Sequence, residues 1–282
     1  MQRVSDGRPL EAGRLAELLV GADGLLLVGD RRRSPRTMLP GPFAPDAEGR
    51  PVPVGWLPDL GSRLGAFAEA AARVAGRAKE RVGPVAVLGQ WDTRYLHLAS
   101  RMEARLAACA ARFRVLRWTA ERLTQADLVR GLRYGLGAAV YFGHGRPEGW
   151  AGYHGLRARH LVEQGGEPVG AMFSVTCLTA SRWRTGLAFS EAVVLGGAAA
   201  GAVGAVGEVE HLENMRWMLG LADALAAGET LLGPTLLRAA PHPQRPTEPY
   251  RIIGDPLAQF VGASNAERRA AAMFAPAPGD IV

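Results

Sequence analysis

Short apolar runs alternate along the chain with stretches in which apolar residues return every three or four positions. The first pattern predicts buried strands and the second amphipathic helices. Strands are expected at Leu25–Gly29, Val54–Leu57, Val85–Leu88, Phe113–Trp118, Ala138–Gly143, Ala171–Val175 and Ala200–Val206. Ile252–Ile253 and Leu257–Phe260 close the series. Helices are expected over Leu64–Ala78, Arg94–Ala110, Thr185–Leu195 and His211–Ala227, after a first helix carrying Leu15, Leu18 and Leu19. Thr124 and Asp127 open a further helix as a capping box. In the Arg94–Ala110 segment, Leu98, Met102, Leu106 and Cys109 recur at helical spacing, which places Cys109 on the buried stripe. The proline-rich passage from Pro35 to Pro53 reads as a long loop.

Strands separated by helices imply βαβ crossovers, hence an α/β fold with a mainly parallel sheet flanked by helices on both faces. Such sheets carry their ligands beyond the carboxyl ends of the strands. The residues to inspect at that rim are therefore Asp30, Asp92, His144, Cys177, Glu208 and Asp255. Residues 1–82 are expected to form a small N-terminal α/β subdomain, 83–262 the main domain and 263–282, rich in alanine and proline, a flexible tail.

Composition removes several classes of function. With 48% apolar and 21% charged residues among 282, the chain has the balance of a globular protein. Its alanine, glycine and arginine enrichment reads as the mark of a GC-rich bacterial genome. The net charge of +6 comes from scattered arginines, and the tight run Arg31-Arg32-Arg33 follows a strand as a solvated loop. No nucleic-acid partner is expected. No segment has the length and apolarity of a membrane span, and the amino terminus lacks a signal-like apolar core. Two cysteines, Cys109 and Cys177, build no disulfide framework and point to a reducing, cytoplasmic setting.

The chemistry concentrates in two loops. One strand runs into Gly143-His144-Gly145 and the next into Thr176-Cys177. Adjacent parallel strands ending this way present an imidazole and a thiol on one rim, which is what nucleophilic catalysis by cysteine requires. The Gly145 and Cys177 N–H groups are candidates for an oxyanion hole. On spacing alone, a core cysteine and a turn histidine remain an open alternative. His144, His154, His160 and Cys177 fit no standard zinc spacing, so no metal is expected. The glycine-rich run Gly196–Gly207 lacks the ending of a phosphate loop and reads as tight strand packing, while Asp255 reads as a turn residue.

The residues also resemble a known family. YFGHGRPEGWAGYHG (Tyr141–Gly155) is similar to the histidine loop of gingipain-type cysteine peptidases, with Trp150 after the Gly-His-Gly. FSVTCLTAS (Phe173–Ser181) resembles their cysteine loop, and Leu187–Val209, with Phe189 and Glu191, the helix and strand that follow. IIGDPLAQF (Ile252–Phe260), LLLVGD (Leu25–Asp30) and VPVGWLPDL (Val52–Leu60) extend the likeness to roughly residues 25–260. The resemblance implies a caspase-like fold and an endopeptidase with Cys177 as nucleophile and His144 as general acid/base, without a cofactor. It further implies cleavage after a basic residue, for which Asp92, Glu208 or Glu210 would supply the carboxylate and Trp150, Trp183 or Trp91 the walls. Leu178-Thr179-Ala180 depart from the family's small residue and glycine after the cysteine. The implied partners are a protein or peptide substrate and, by analogy with intracellular effectors, an activating protein. The competing readings are a non-catalytic interaction or regulatory module on the same scaffold and an amide-ligating enzyme.

Overall fold

The computed structural model describes residues 12–38, 41–80, 82–107, 113–240 and 249–260. Cys109 and the expected tail at 263–282 lie outside them.

The described residues begin with α1 (Ala12–Leu18) and β1 (Leu25–Gly29). The proline-rich passage, expected as loop, contains α2 (Pro35–Met38) and β2 (Phe43–Pro45), the latter pairing antiparallel with β3 (Pro51–Pro58). After α3 (Ser62–Glu80) come β4 (Val85–Gly89), α4 (Thr93–Ala107), β5 (Val115–Arg117), α5 (Gln125–Leu132) and β6 (Ala138–Phe142). A small antiparallel sheet of β7 (Gly145–Arg146), β8 (Gly149–Trp150) and β9 (Leu156–Arg157) follows, with a one-turn α6 (Gly152–Gly155) inside it. The chain continues through α7 (Ala158–Val162), β10 (Val169–Val175), α8 (Phe189–Leu195), β11 (Ala199–Ala205), α9 (His211–Ala226), α10 (Leu232–Ala239) and β12 (Tyr250–Gly254).

The main sheet has the order β1-β3-β12-β11-β10-β6-β4-β5. From β11 to β5 every pairing is parallel, as the alternation of strands and helices requires. β12 pairs antiparallel with β11 and parallel with β3, so β12, β3 and β1 run the opposite way. The carboxyl ends of β1 and β12, with Asp30 and Asp255, therefore lie at the edge opposite to His144. This corrects their expected place at one common rim. Asp255 instead accepts the Leu257 N–H at 2.8 Å in a turn, and burial raises its carboxyl pKa.

The period of two along the strands separates two cores. Val85, Val87, Val140, Phe142, Phe173 and Val175 face one side, with Leu98 and Met102 of α4 and Trp217 and Leu221 of α9. Leu88, Ala139, Tyr141 and Met172 face the other, with Leu128 of α5, Leu161 of α7 and Val193 of α8. The sheet is thus covered on both faces, as expected for an α/β fold with a mainly parallel sheet.

Two boundaries differ from expectation for local reasons. The helix expected from Thr185 begins at Phe189, because Ala188 is extended and its N–H is taken by the Glu191 carboxylate at 3.0 Å. Leu257–Phe260 follows Pro256 and adds a single bridge, Leu231 to Gln259, rather than a strand. Half of the expected capping box forms: Thr124 caps the helix by accepting the Asp127 N–H, while the Asp127 carboxylate takes the Thr124 hydroxyl at 2.6 Å.

Candidate active site

β4 continues to β5 on one side and β6 to β10 on the other, so chain direction across the sheet reverses between β4 and β6. This is a topological switch point, where the loops diverge and leave a crevice. The loops after β4, β6 and β10 meet there.

Phe142 and Val175 are paired across β6 and β10, and each is followed two residues later by a candidate side chain, His144 and Cys177. The register thus puts His144 and Cys177 each two residues beyond a paired strand end. The loops touch directly: Thr176 Oγ1 donates to the Gly143 carbonyl at 2.6 Å. A Cβ on Gly145 would lie 2.2 Å from the Cys177 carbonyl oxygen, so glycine is required by backbone contact with the cysteine loop.

His144 is exposed, but its backbone is fixed. Gln90 Oε1 accepts its N–H at 2.8 Å, while the Ala151 N–H (2.9 Å) and the Tyr141 hydroxyl (3.1 Å) donate to its carbonyl. Behind this loop, Trp150 stacks on Tyr141 with centroids 4.4 Å apart and donates to Ser174 Oγ at 2.9 Å. Trp150 is only 1% exposed, and the indole is the floor on which the histidine loop rests. Trp91 and Trp183 are 75% and 60% exposed at the rim, Trp183 with the Arg184 guanidinium over its ring.

The group against the imidazole itself is Tyr95, on the buried stripe of α4. Its hydroxyl lies 3.5 and 3.4 Å from Nδ1 and Nε2 of His144, with the rings edge-on at 5.3 Å. Burial raises the Tyr95 pKa, so the hydroxyl keeps its proton. His211, at the start of α9, also stands edge-on to the Tyr95 ring, with centroids 6.2 Å apart.

Cys177 is half-buried. Its Sγ accepts the Val209 N–H at 3.3 Å and lies 3.6 Å from the Val209 carbonyl. An amide N–H aimed at sulfur is a partner for its anionic form. Leu178, next in the chain, has φ 62°, a left-handed conformation uncommon for a residue with a branched side chain.

Of the expected carboxylates, Asp92 sits between β4 and α4. The Arg94 side chain and N–H hold its carboxyl below the usual carboxylate range, with a smaller contribution from His144. Glu208 and Glu210 flank Val209, the residue in contact with the sulfur, and both are exposed. His154 and His160 do not join His144: His160 Nδ1 accepts the Arg157 N–H at 3.2 Å. Among the described residues no group of three or more His, Cys, Asp or Glu is placed to hold a metal.

Gln90, Tyr95, Tyr141, Val209 and His211 escaped the sequence reading. Tyr95 occupies a helix-stripe position that reads as core, and Val209 acts through its backbone. Only the place of Gln90 beside Trp91 and Asp92, in a loop already singled out, offered a signal.

The model of peptidase family C25 matches residues 74–260. The chain belongs to peptidase family C25. This C25 chain is a cysteine peptidase, a hydrolase of the gingipain type with the caspase-like fold. The Arg-specific cysteine proteinase gingipain R (RGPB) superposes with a TM-score of 0.67 at 14% identity, over 89% of this chain and 68% of its own. The complex of the Porphyromonas gingivalis RgpB pro- and mature domains gives the same values. A structure described only as a protease gives 0.70 at 13% identity, over 89% and 68%. No curated protein matches the sequence. Among the described residues of the C25 chain, no helix is long and apolar enough to cross a membrane.

The Gly145 contact makes a sharp prediction. In Gly145→Ala the new methyl meets backbone at 2.2 Å, so the two loops must separate. A displacement on the order of 1 Å at a catalytic centre lowers rate about a hundredfold. Peptide hydrolysis and thermal unfolding measured together are expected to show a large loss of kcat/KM beside a modest loss of stability. Full activity would mean that the two loops need not touch.

Proposed function

We propose that this peptidase is an endopeptidase working through a Cys177–His144 dyad. The observation that carries the reading is the β6–β10 register, which brings both residues to one rim, each two residues past a paired position. Cys177 attacks the scissile carbonyl as thiolate, forming a C–S bond and a tetrahedral oxyanion. The Gly145 and Cys177 N–H groups receive the oxyanion. His144 protonates the leaving amine as the C–N bond breaks, leaving a thioester. It then takes a proton from water, whose oxygen displaces the thiolate and releases the new carboxylate. Tyr95 orients the imidazole, and the Val209 N–H supports the sulfur.

Cleavage after arginine or lysine is the specificity we assign. Gingipain R carries the description Arg-specific, and here Asp92 and Glu208 place carboxylates on the two sides of the dyad. Asp92 exchanges Arg94 for the substrate cation, whereas among the described residues Glu208 has no ion-pair partner to give up. The same reading places the enzyme in a reducing cytoplasm, since the sequence has only two cysteines, under control of an activating protein.

The test is a cleavage profile on an unbiased peptide library, with Asp92→Asn and Glu208→Gln beside the parent protein. The expected preference is arginine or lysine before the cut, reduced about tenfold or more in the variant that removes the cation's partner. Cleavage after apolar or acidic residues would overturn the specificity. Labelling by a peptidyl thiol-reactive probe at a residue other than Cys177 would overturn the dyad.

A further inference from the structure

The small sheet that follows His144 carries a row of residues that the dyad does not use. In its antiparallel register Arg146 is paired with Gly149, and Gly149 in turn with Arg157. Residues paired across antiparallel strands point to the same face. The neighbouring row, Gly145–Trp150–Leu156, faces inward, with Trp150 and Leu156 fully buried. The Arg146–Gly149–Arg157 row therefore faces outward. Two strand spacings separate the arginine backbones by about 9.5 Å. Between them Gly149 leaves a floor without a side chain, and it must, since a Cβ there would lie 1.9 Å from the Leu156 carbonyl oxygen.

This row opens into a cleft of about 270 Å³ bordered also by Glu148 and His154. His154 stands in a left-handed turn, with φ 57°, between Tyr153 and Gly155. The Tyr153 carbonyl is tied to Gln125 Nε2 at 2.7 Å, and the Phe189 N–H holds the Pro147 carbonyl at 2.7 Å. The walls are thus anchored to α5 and α8. Two guanidiniums and an imidazole face one carboxylate, and among the described residues neither arginine is engaged in an ion pair.

Resting on the dyad proposed above, we infer that this cleft is a substrate subsite for an anionic side chain, the carboxylate of aspartate or glutamate or a phosphorylated serine. Paired guanidiniums across an open floor match the planar or tetrahedral oxygens of such a group with two charge-assisted contacts. Arg146 follows Gly145 directly. The anionic side chain therefore belongs to a residue close in sequence to the scissile bond. Natural substrates then carry an acidic or phosphorylated residue near the cut, and Glu148 selects against crowding by a second negative charge.

The experiment uses the full chain with Cys177→Ala, so that peptides bind without turnover. Labelled peptides identical except for Asp, Glu, phosphoserine or Asn at each position within three of the cut are titrated by fluorescence anisotropy. The expected result is binding about tenfold tighter for an anionic residue than for asparagine at one position, weakening with salt. This advantage disappears in Arg146→Ala with Arg157→Ala, and Arg157→Glu moves the preference toward lysine at that position. A larger gain for phosphoserine than for aspartate identifies the dianion as ligand, and the reverse identifies the carboxylate. Equal binding of anionic and neutral peptides, absence of binding by any peptide, or an acidic preference that survives both arginine replacements overturns the subsite. Failure of the dyad reading shows separately, as probe labelling away from Cys177 and as cleavage of the labelled peptides by Cys177→Ala.

Discussion

In Cys177→Ala, hydrolysis of a peptide substrate is expected to fall by about 10⁴-fold or more, with the fold intact. The thiol is the nucleophile of the first step in the proposed cycle and the leaving group of the second, and alanine offers neither. What remains is the catalysis that the two N–H groups and substrate binding give to attack by water. His144→Ala is expected to lose less, about 10²- to 10⁴-fold, because the sulfur persists while its proton acceptor and the leaving-group acid are gone. The two replacements are not additive: the pair acts as a unit, and the double variant falls to about the level of Cys177→Ala. Stability changes little, since His144 is exposed and Cys177 gives up chiefly its contact with the Val209 peptide. The measurement is kcat/KM on a fluorogenic peptide with denaturant unfolding of each variant. Retention of activity within tenfold in Cys177→Ala would place the nucleophile elsewhere, whatever the geometry of this rim.

How far this site could be read before folding depended on the kind of interaction. The strands around it were legible because buried parallel strands are continuous apolar runs, and Ala138–Gly143 and Ala171–Val175 both announce themselves. His144 and Cys177 were legible because each follows such a run. The directions of β1 and β12 were not: a short apolar run carries no mark of which way it crosses the sheet, so in sequence Asp30 and Asp255 look the same as residues on the rim of His144. Trp150 reads equally well as pocket wall or floor, and only its stacking on Tyr141 and bond to Ser174 decide for the floor. Tyr95 sits where helical periodicity asks for a core residue, and its ring fills that place while its hydroxyl reaches His144. Backbone partners leave no trace in sequence, which is why the Val209 N–H, one peptide among many, could not be found.

The largest expected loss of stability belongs to Glu191, in α8 at the far end of the loop that leaves Cys177. Its carboxylate is fully buried and accepts four bonds: from Arg182 Nε (2.6 Å) and Nη2 (2.7 Å), from Trp56 Nε1 (3.2 Å) and from the Ala188 N–H (3.0 Å). The same Arg182 donates through Nη1 to the Arg31 carbonyl at 2.6 Å. One carboxylate thus joins β3, the start of α8 and the loop that leaves Cys177, and through Arg182 that loop also reaches the segment after β1. Glu191→Ala leaves a guanidinium only 12% exposed without its counter-charge, together with an indole N–H and an amide without acceptors. Breaking a buried pair from one side costs about 3–5 kcal/mol, which for a chain of this size lowers Tm by on the order of ten degrees. Glu191→Gln keeps the shape and one acceptor oxygen, so its loss is expected to be smaller but of the same sign. Because Arg182 lies on the cysteine loop, kcat/KM falls in both variants even at temperatures where they stay folded. A loss of less than about 1 kcal/mol would show that the pair behaves as an exposed one. The strands of the first sixty residues would then hold the cysteine loop through apolar packing alone, and Trp56→Phe, which removes the indole donor and keeps most of the ring, would be silent for activity as well.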